Sequence, residues 1–159
     1  MGGNSGGSLS LSDLNELELK AKKILSEGEH KKHVFISFCH KDIDEVNLLR
    51  GQAKNENSEL EFDDYSVKEP FDSENAEYIK RKIREKIKHA STTIVYLTDK
   101  AASSKWVNWE IEESIRQGKK VVGVYKGENA PYRLPNSFVE NKCKCVRWRH
   151  ADLMREIDN

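Results

Sequence analysis

Thr92 to Glu113 reads T-T-I-V-Y-L-T-D-K-A-A-S-S-K-W-V-N-W-E-I-E-E. The apolar, β-branched run Thr92 to Leu97 suits a buried strand. Trp106 to Gln117 then has helical spacing, and Gly118 closes it. The helix start follows the strand directly, and α/β proteins bind ligands at such junctions. Two of the three tryptophans and three carboxylates fall between Ser103 and Glu113. Trp106 and Glu110 are four apart, so they share one helix face. A flat ring held beside a carboxylate suits a nucleotide or sugar ligand. The plain alternative is a surface helix with a capping serine and a solvated acidic face.

The same alternation extends in both directions. His33 to Phe38 (HVFISF) is an almost continuously apolar run, as in a parallel strand covered on both faces. Asp42 is expected to cap a helix through Gln52, with Glu45 as its partner. Leu60 to Phe62 is a short second strand. Asp63 to Asp72 (DDYSVKEPFD) has turn chemistry and is longer than most α/β connections, a length that often marks function. Ser73 is placed to cap a helix over 74–89, where Ile79, Ile83 and Ile87 form the apolar row. Val121 to Tyr125 and Lys142 to Arg147 read as further strands, joined by a loop over 126–135. Ala151 to Ile157 reads as a closing helix. The alternation predicts an α/β, doubly wound, five-stranded parallel sheet with helices on both faces.

The bulk properties restrict the function. The 159 residues suggest one domain with a tail, large enough to bury a core without disulfides or metals. Lys+Arg and Asp+Glu number 27 each, so no global charge favours nucleic acid or an anionic membrane. Acids concentrate over 59–77 and bases over 80–88, which usually means solvation and helical charge pairing. The basic helix has no interleaved aromatics and no known motif, so nucleic acid is not the expected partner. No apolar run approaches the ~20 residues that span a bilayer, and the N-terminus has no secretory signal pattern. Cys39, Cys143 and Cys145 read as reduced thiols of a cytoplasmic protein. The five histidines show no metal-ligand spacing, so no metal is expected. Residues 1–11 read as a flexible Gly/Ser-rich tail, 12–31 as a helix, ending near Gly28, and a linker, and 32–159 as the domain.

A flavodoxin-like five-strand sheet commonly has strand order 2-1-3-4-5, with its crevice at the C-terminal ends of the first and third strands. Phe38 to Asp42 and Ser104 to Glu110 are then expected to face each other there, with the 63–72 loop leaning over the mouth. Val107, Ile111 and Ile115 are spaced by four and predict the core face. Trp106 and Glu110 are rotated from that face by about 100°, which places them, partly buried, at the crevice rim. Trp109, Glu112 and Glu113 are expected toward solvent.

Two motifs then carry a resemblance. HVFISFCHKD at 33–42 is like the first box of the Toll/interleukin-receptor (TIR) domain, and SKWVNWE at 104–110 is like that family's S-x-W-C-x-x-E. Residues 32 to 159 resemble the bacterial TIR-like branch that includes the NAD-processing proteins of Thoeris antiphage defence. The resemblance implies an NAD glycohydrolase or ADP-ribosyl cyclase with Glu110 as its catalytic residue. NAD is then a substrate and no cofactor is needed. It implies that Ser37, Phe38, Cys39, His40 and Asp42 line the nicotinamide or ribose pocket, with Ser104 and Trp106 beside them. Asp64, Tyr65 and Ser66 lie where the family's mobile loop approaches the ligand. It also implies self-association through TIR–TIR contacts and a phage-derived or upstream-domain trigger. Two departures stand out: Val107 replaces the motif's cysteine, and the loop reads YSVKEPF over 65–71, without the Pro-Gly pair of animal adaptors.

Two other classes remain open at this point. A non-catalytic interaction module is supported by Trp109 and the opposed charge blocks. A phospho-receiver on the same fold needs an aspartate at the end of the third strand, and Asp99 comes late for that role.

Overall fold

The computed structural model describes residues 10–30, 32–55 and 60–158. The expected flexible tail lies outside them, except for residues 10 and 11. The chain divides into two units, residues 1–31 and 32–159. In the first, helix α1 spans Leu11–His30, and Gly28 does not end it.

The second unit is built on five parallel strands: β1 Lys32–Ser37, β2 Leu60–Asp64, β3 Thr92–Tyr96, β4 Lys120–Tyr125 and β5 Lys144–Arg147. Their order is β2-β1-β3-β4-β5, as expected. Register is fixed by pairs such as Val34 with Thr92 and Val122 with Lys144. The connecting helices are α2 Ile43–Asn55, α3 Ala76–His89, α4 Asp99–Ala102, α5 Lys105–Arg116, α6 Asn136–Glu140 and α7 His150–Asp158.

Strand alternation sorts the core into two layers. Phe35, Val95, Leu97 and Val121 face α3, α5 and α6, meeting Ile79, Ile83, Val107, Ile111 and Phe138. Val34, Ile36, Ile94, Tyr96 and Val122 face α2 and α7, meeting Val46, Leu153 and Ile157. Helices therefore cover both faces of the sheet. Gly123 on β4 has a specific reason: a Cβ there would lie 2.6 Å from both Leu97 and Phe138. Glycine lets α6 approach the strand.

Several local expectations are corrected. Asp42 does not cap α2. It closes a 3-10 turn, His40–Asp42, whose N-cap is Cys39, and its carboxylate accepts from the Thr98 hydroxyl at 2.6 Å. Glu45 is drawn to the Tyr96 hydroxyl, which donates to it at 2.5 Å. The third helix begins at Ala76 behind Asn75, and Ser73 provides no cap. The fifth strand starts at Lys144, because Lys142 takes φ 52° and turns the chain first. The second strand runs two residues further than its apolar run, to Asp64.

Candidate functional site

The crevice lies where the strand order reverses, outside the C-terminal ends of β1 and β3. A cavity of about 680 Å³ opens there, within the ~300–1,000 Å³ of small-molecule sites. Four segments line it: 38–41 after β1, 67–71 after β2, residues 99, 100 and 103 around α4, and 104–106 with Glu110 on α5.

Helix α5 carries the central group. The Ser104 hydroxyl accepts from the Val107 N–H at 3.2 Å and starts the helix, as its sequence position suggests. Glu110 follows a turn and a half later and is only 2% exposed. The Ser37 hydroxyl, on the last residue of β1, donates to its Oε1 at 3.1 Å. Burial pushes the Glu110 carboxyl well above the ordinary glutamate range, and the bond from Ser37 only partly offsets this. A polar seam continues beneath it. The Ser114 hydroxyl donates to the Glu110 carbonyl at 2.7 Å and pairs with Thr93 on β3 at 2.7 Å. The seam holds the Glu110 turn of α5 against the sheet.

Trp106 forms the side wall. Its indole N–H donates to the Glu69 carbonyl at 2.8 Å, and Phe71 meets its ring edge-on at 4.9 Å. These contacts fasten the 67–71 loop over the cavity. Lys80 of α3 lies 4.5 Å from the centre of the Phe71 ring and backs the same loop. Lys41, Lys68, Lys100 and Lys105 line the cavity against two acids, Glu69 and Asp99, besides Glu110. The mouth is thus cationic and the floor holds a carboxyl.

Of the expected residues, Phe38, Cys39, His40, Ser104, Trp106 and Glu110 line this cavity together. Ser37 stands behind Glu110, completely buried. Asp42 is turned into its bond with Thr98, with Lys100 at 3.7 Å. Asp64, Tyr65 and Ser66 do not line the cavity. Asp64 ends β2 and pairs with Arg50, Tyr65 packs on the α3 core, and Val67 to Phe71 provide the overhang instead. The lysine ring and the Thr93–Ser114 pair carry no motif, so the sequence reading missed them.

The helix phase is also corrected. Trp106, at 8% exposure, and Glu110 are buried and not at a rim, and Ile115 is 37% exposed and outside the core. The buried arc of α5 is centred near Val107 and Glu110 because α3 and α6 flank it as well as the sheet. Glu113 is buried, not solvated. Burial raises its pKa, but hydrogen bonds from Arg116 and Gln117 and the charges of Arg116 and Arg84 outweigh this and leave it lowered. Trp109 is half-buried, with Lys80 and Arg84 over its ring.

Among the described residues, no group of three or more His, Cys, Asp or Glu side chains is placed to hold a metal ion. Nor is any helix there long and apolar enough to cross a membrane. The three cysteines form no disulfide.

The architecture and the ligand-sized crevice with its buried carboxyl define a doubly wound α/β domain of TIR type. The chain belongs to the family described as "Thoeris protein ThsB, TIR-like domain", whose model matches residues 35–130. A protein of Bacillus cereus (strain MSX-D12), "Putative cyclic ADP-D-ribose synthase ThsB1", is 29% identical over 117 residues. The match covers 67% of this chain and 61% of that relative. Among solved structures, the TIR domains of the activated Roq1 resistosome recognising the effector XopQ share 19% identity. That overlap covers 70% of this chain and 64% of the other at a TM-score of 0.44, too loose a likeness to bear on function.

Proposed function

We propose that this domain breaks the nicotinamide–ribose bond of NAD, with Glu110 as the catalytic carboxylate, and yields an ADP-ribose-type product as a signal in antiphage defence. The observation that carries the reading is the single buried carboxyl on the floor of the switch-point crevice, opposite a ring of lysines. In the reaction the electron pair of the C–N bond leaves with nicotinamide, which departs neutral. The ribose becomes an oxocarbenium-like centre, and a carboxylate beside it stabilises that charge. Water or a nucleophilic atom of the same molecule then takes the centre, giving a linear or a cyclic product. The relative's printed name favours the cyclic outcome.

The geometry supports a division of labour. The lysines suit the pyrophosphate, and Trp106 with Phe38 supplies flat apolar walls. Burial favours the protonated form of Glu110. Nicotinamide–ribose is cationic, and its arrival within ~4–6 Å would draw the carboxyl toward its charged form. Water exclusion then strengthens the attraction.

The test is nicotinamide release from NAD by an assembled, activated preparation. Wild type is expected to release it, and Glu110→Ala to lose ~10²-fold or more in rate, the scale of removing one preorganised electrostatic group. Equal release by both proteins, or none by wild type, refutes the assignment. A second reading, a TIR interaction module, draws on the exposed cationic and aromatic face of α3, where Arg81 and Lys82 flank Tyr78. It predicts self-association that survives Glu110→Ala, measurable by sedimentation, with no NAD turnover.

A further inference from the structure

A second cavity, of about 260 Å³, lies at the other end of the same sheet edge and shares no lining residue with the crevice. Lys126 follows β4, and Arg147 ends β5 directly across from Tyr125. The Trp148 N–H donates to the Tyr125 carbonyl at 2.7 Å and extends that ladder by one step. The Arg149 N–H bonds back to the Arg147 carbonyl at 2.7 Å, a tight turn that closes the strand. Leu48 and Gln52 of α2 form the opposite wall.

The pocket has three cationic side chains, Lys126, Arg147 and Arg149, and no acid lines it. None of the three makes an ion pair among the described residues. Its acceptors, by contrast, are already engaged. The Gln52 oxygen accepts from the Trp148 indole at 2.6 Å, which leaves the amide NH₂ as that side chain's other polar group. The Gly127 carbonyl accepts from Arg147 Nε at 3.2 Å, and this bond steadies the guanidinium while its terminal nitrogens stay available. Tyr96 meets Trp148 edge-on at 5.7 Å and braces the indole. What remains is a set of donors with positive charge, beside an indole and an exposed leucine. Its natural complement is a ligand with acceptors only, negative charge and a small apolar body.

We propose that this pocket binds a small phosphate monoester of nucleoside monophosphate size. The phosphate would sit on Arg147, Arg149 and Lys126, whose guanidinium forks match its oxygens. The base or sugar would lie along Leu48 and Trp148. The volume, well under half that of the crevice, suits a mononucleotide better than a whole dinucleotide. The pocket lies outside the carboxyl ends of β4 and β5.

AMP, inorganic phosphate and adenosine are titrated separately into the ¹⁵N-labelled full chain. The readouts are the Trp148 indole N–H signal, assigned with Trp148→Phe, and the Gln52 amide signals. AMP is expected to move both saturably, phosphate to move them more weakly, and adenosine to leave them in place. Arg147→Gln with Arg149→Gln should weaken AMP binding at least about tenfold, since both charge-assisted contacts are lost. Lys126→Gln, on an exposed loop, gives a second reading if the double variant folds poorly. The proposal is overturned if AMP and phosphate leave the Trp148 signal unmoved. It is equally overturned if AMP moves only the Trp106 and Trp109 indoles, or if the folded charge variants bind AMP as wild type does.

Discussion

The residue that matters most is a glutamate kept in an environment it resists. An ionised carboxylate inside α5 lacks the hydration that water would provide, and one hydroxyl from Ser37 at 3.1 Å is a thin replacement. Glu110→Gln is therefore expected to impair NAD cleavage while making the fold more stable at neutral pH. Such a trade is the usual mark of a functional group and not a structural one. Trp106 has a separable role, since its ring walls the cavity and its N–H holds Glu69. Trp106→Phe keeps the wall and loses a bond worth about 1 kcal/mol. Faster amide hydrogen exchange over 67–71 and a raised KM, with kcat less affected, are the expected results. The pairing of Trp106 with Glu110 was legible because four-residue spacing is a local signal. The partners Ser37 and Glu110 are 73 positions apart, and no pattern in one sequence announces such a bond.

At the scale of elements, strands were easier to foresee than their ends. β1 and β3 are nearly continuous apolar runs, because both of their faces are covered. β2 ends in acids, so its length was underestimated and the overhanging loop was placed a few residues early. Helices α4 and α6, at four and five residues, are too short to display a period and went unforeseen. Strand β4 carries a glycine, Gly123. It is the contact surface for α6, and that contact gives a sharp prediction. Gly123→Ala should destabilise the domain by about 1–3 kcal/mol through overpacking. Chemical denaturation should show a lower midpoint with an unchanged slope.

For the whole molecule, two glutamates on one helix pull stability in opposite directions with pH. The folded Glu110 pKa is raised, so the native state holds a proton that the unfolded chain releases near pH ~4.3. Its contribution to stability therefore falls as pH rises above that point, until the folded pKa is passed. The folded Glu113 pKa is lowered, so its contribution is present above pH ~4.3 and is lost as pH falls through the folded value. Melting curves should show Glu110→Gln matching wild type near pH 4 and exceeding it increasingly as pH rises from there toward the folded Glu110 pKa. Glu113→Gln should cost about 1–2 kcal/mol at pH 7, because Arg116 and Arg84 stay partly hydrated, and the gap should narrow in acid. The order of the sheet has one more consequence, for how the chain finds this structure. Every neighbouring pair of strands is parallel, so no hairpin is available to start the sheet. The central contact, Ser91 with His33, must close 58 positions of chain. Contacts that distant delay folding toward milliseconds or longer. During synthesis β1 can pair with β2 first, but its other edge stays open until β3 leaves the ribosome.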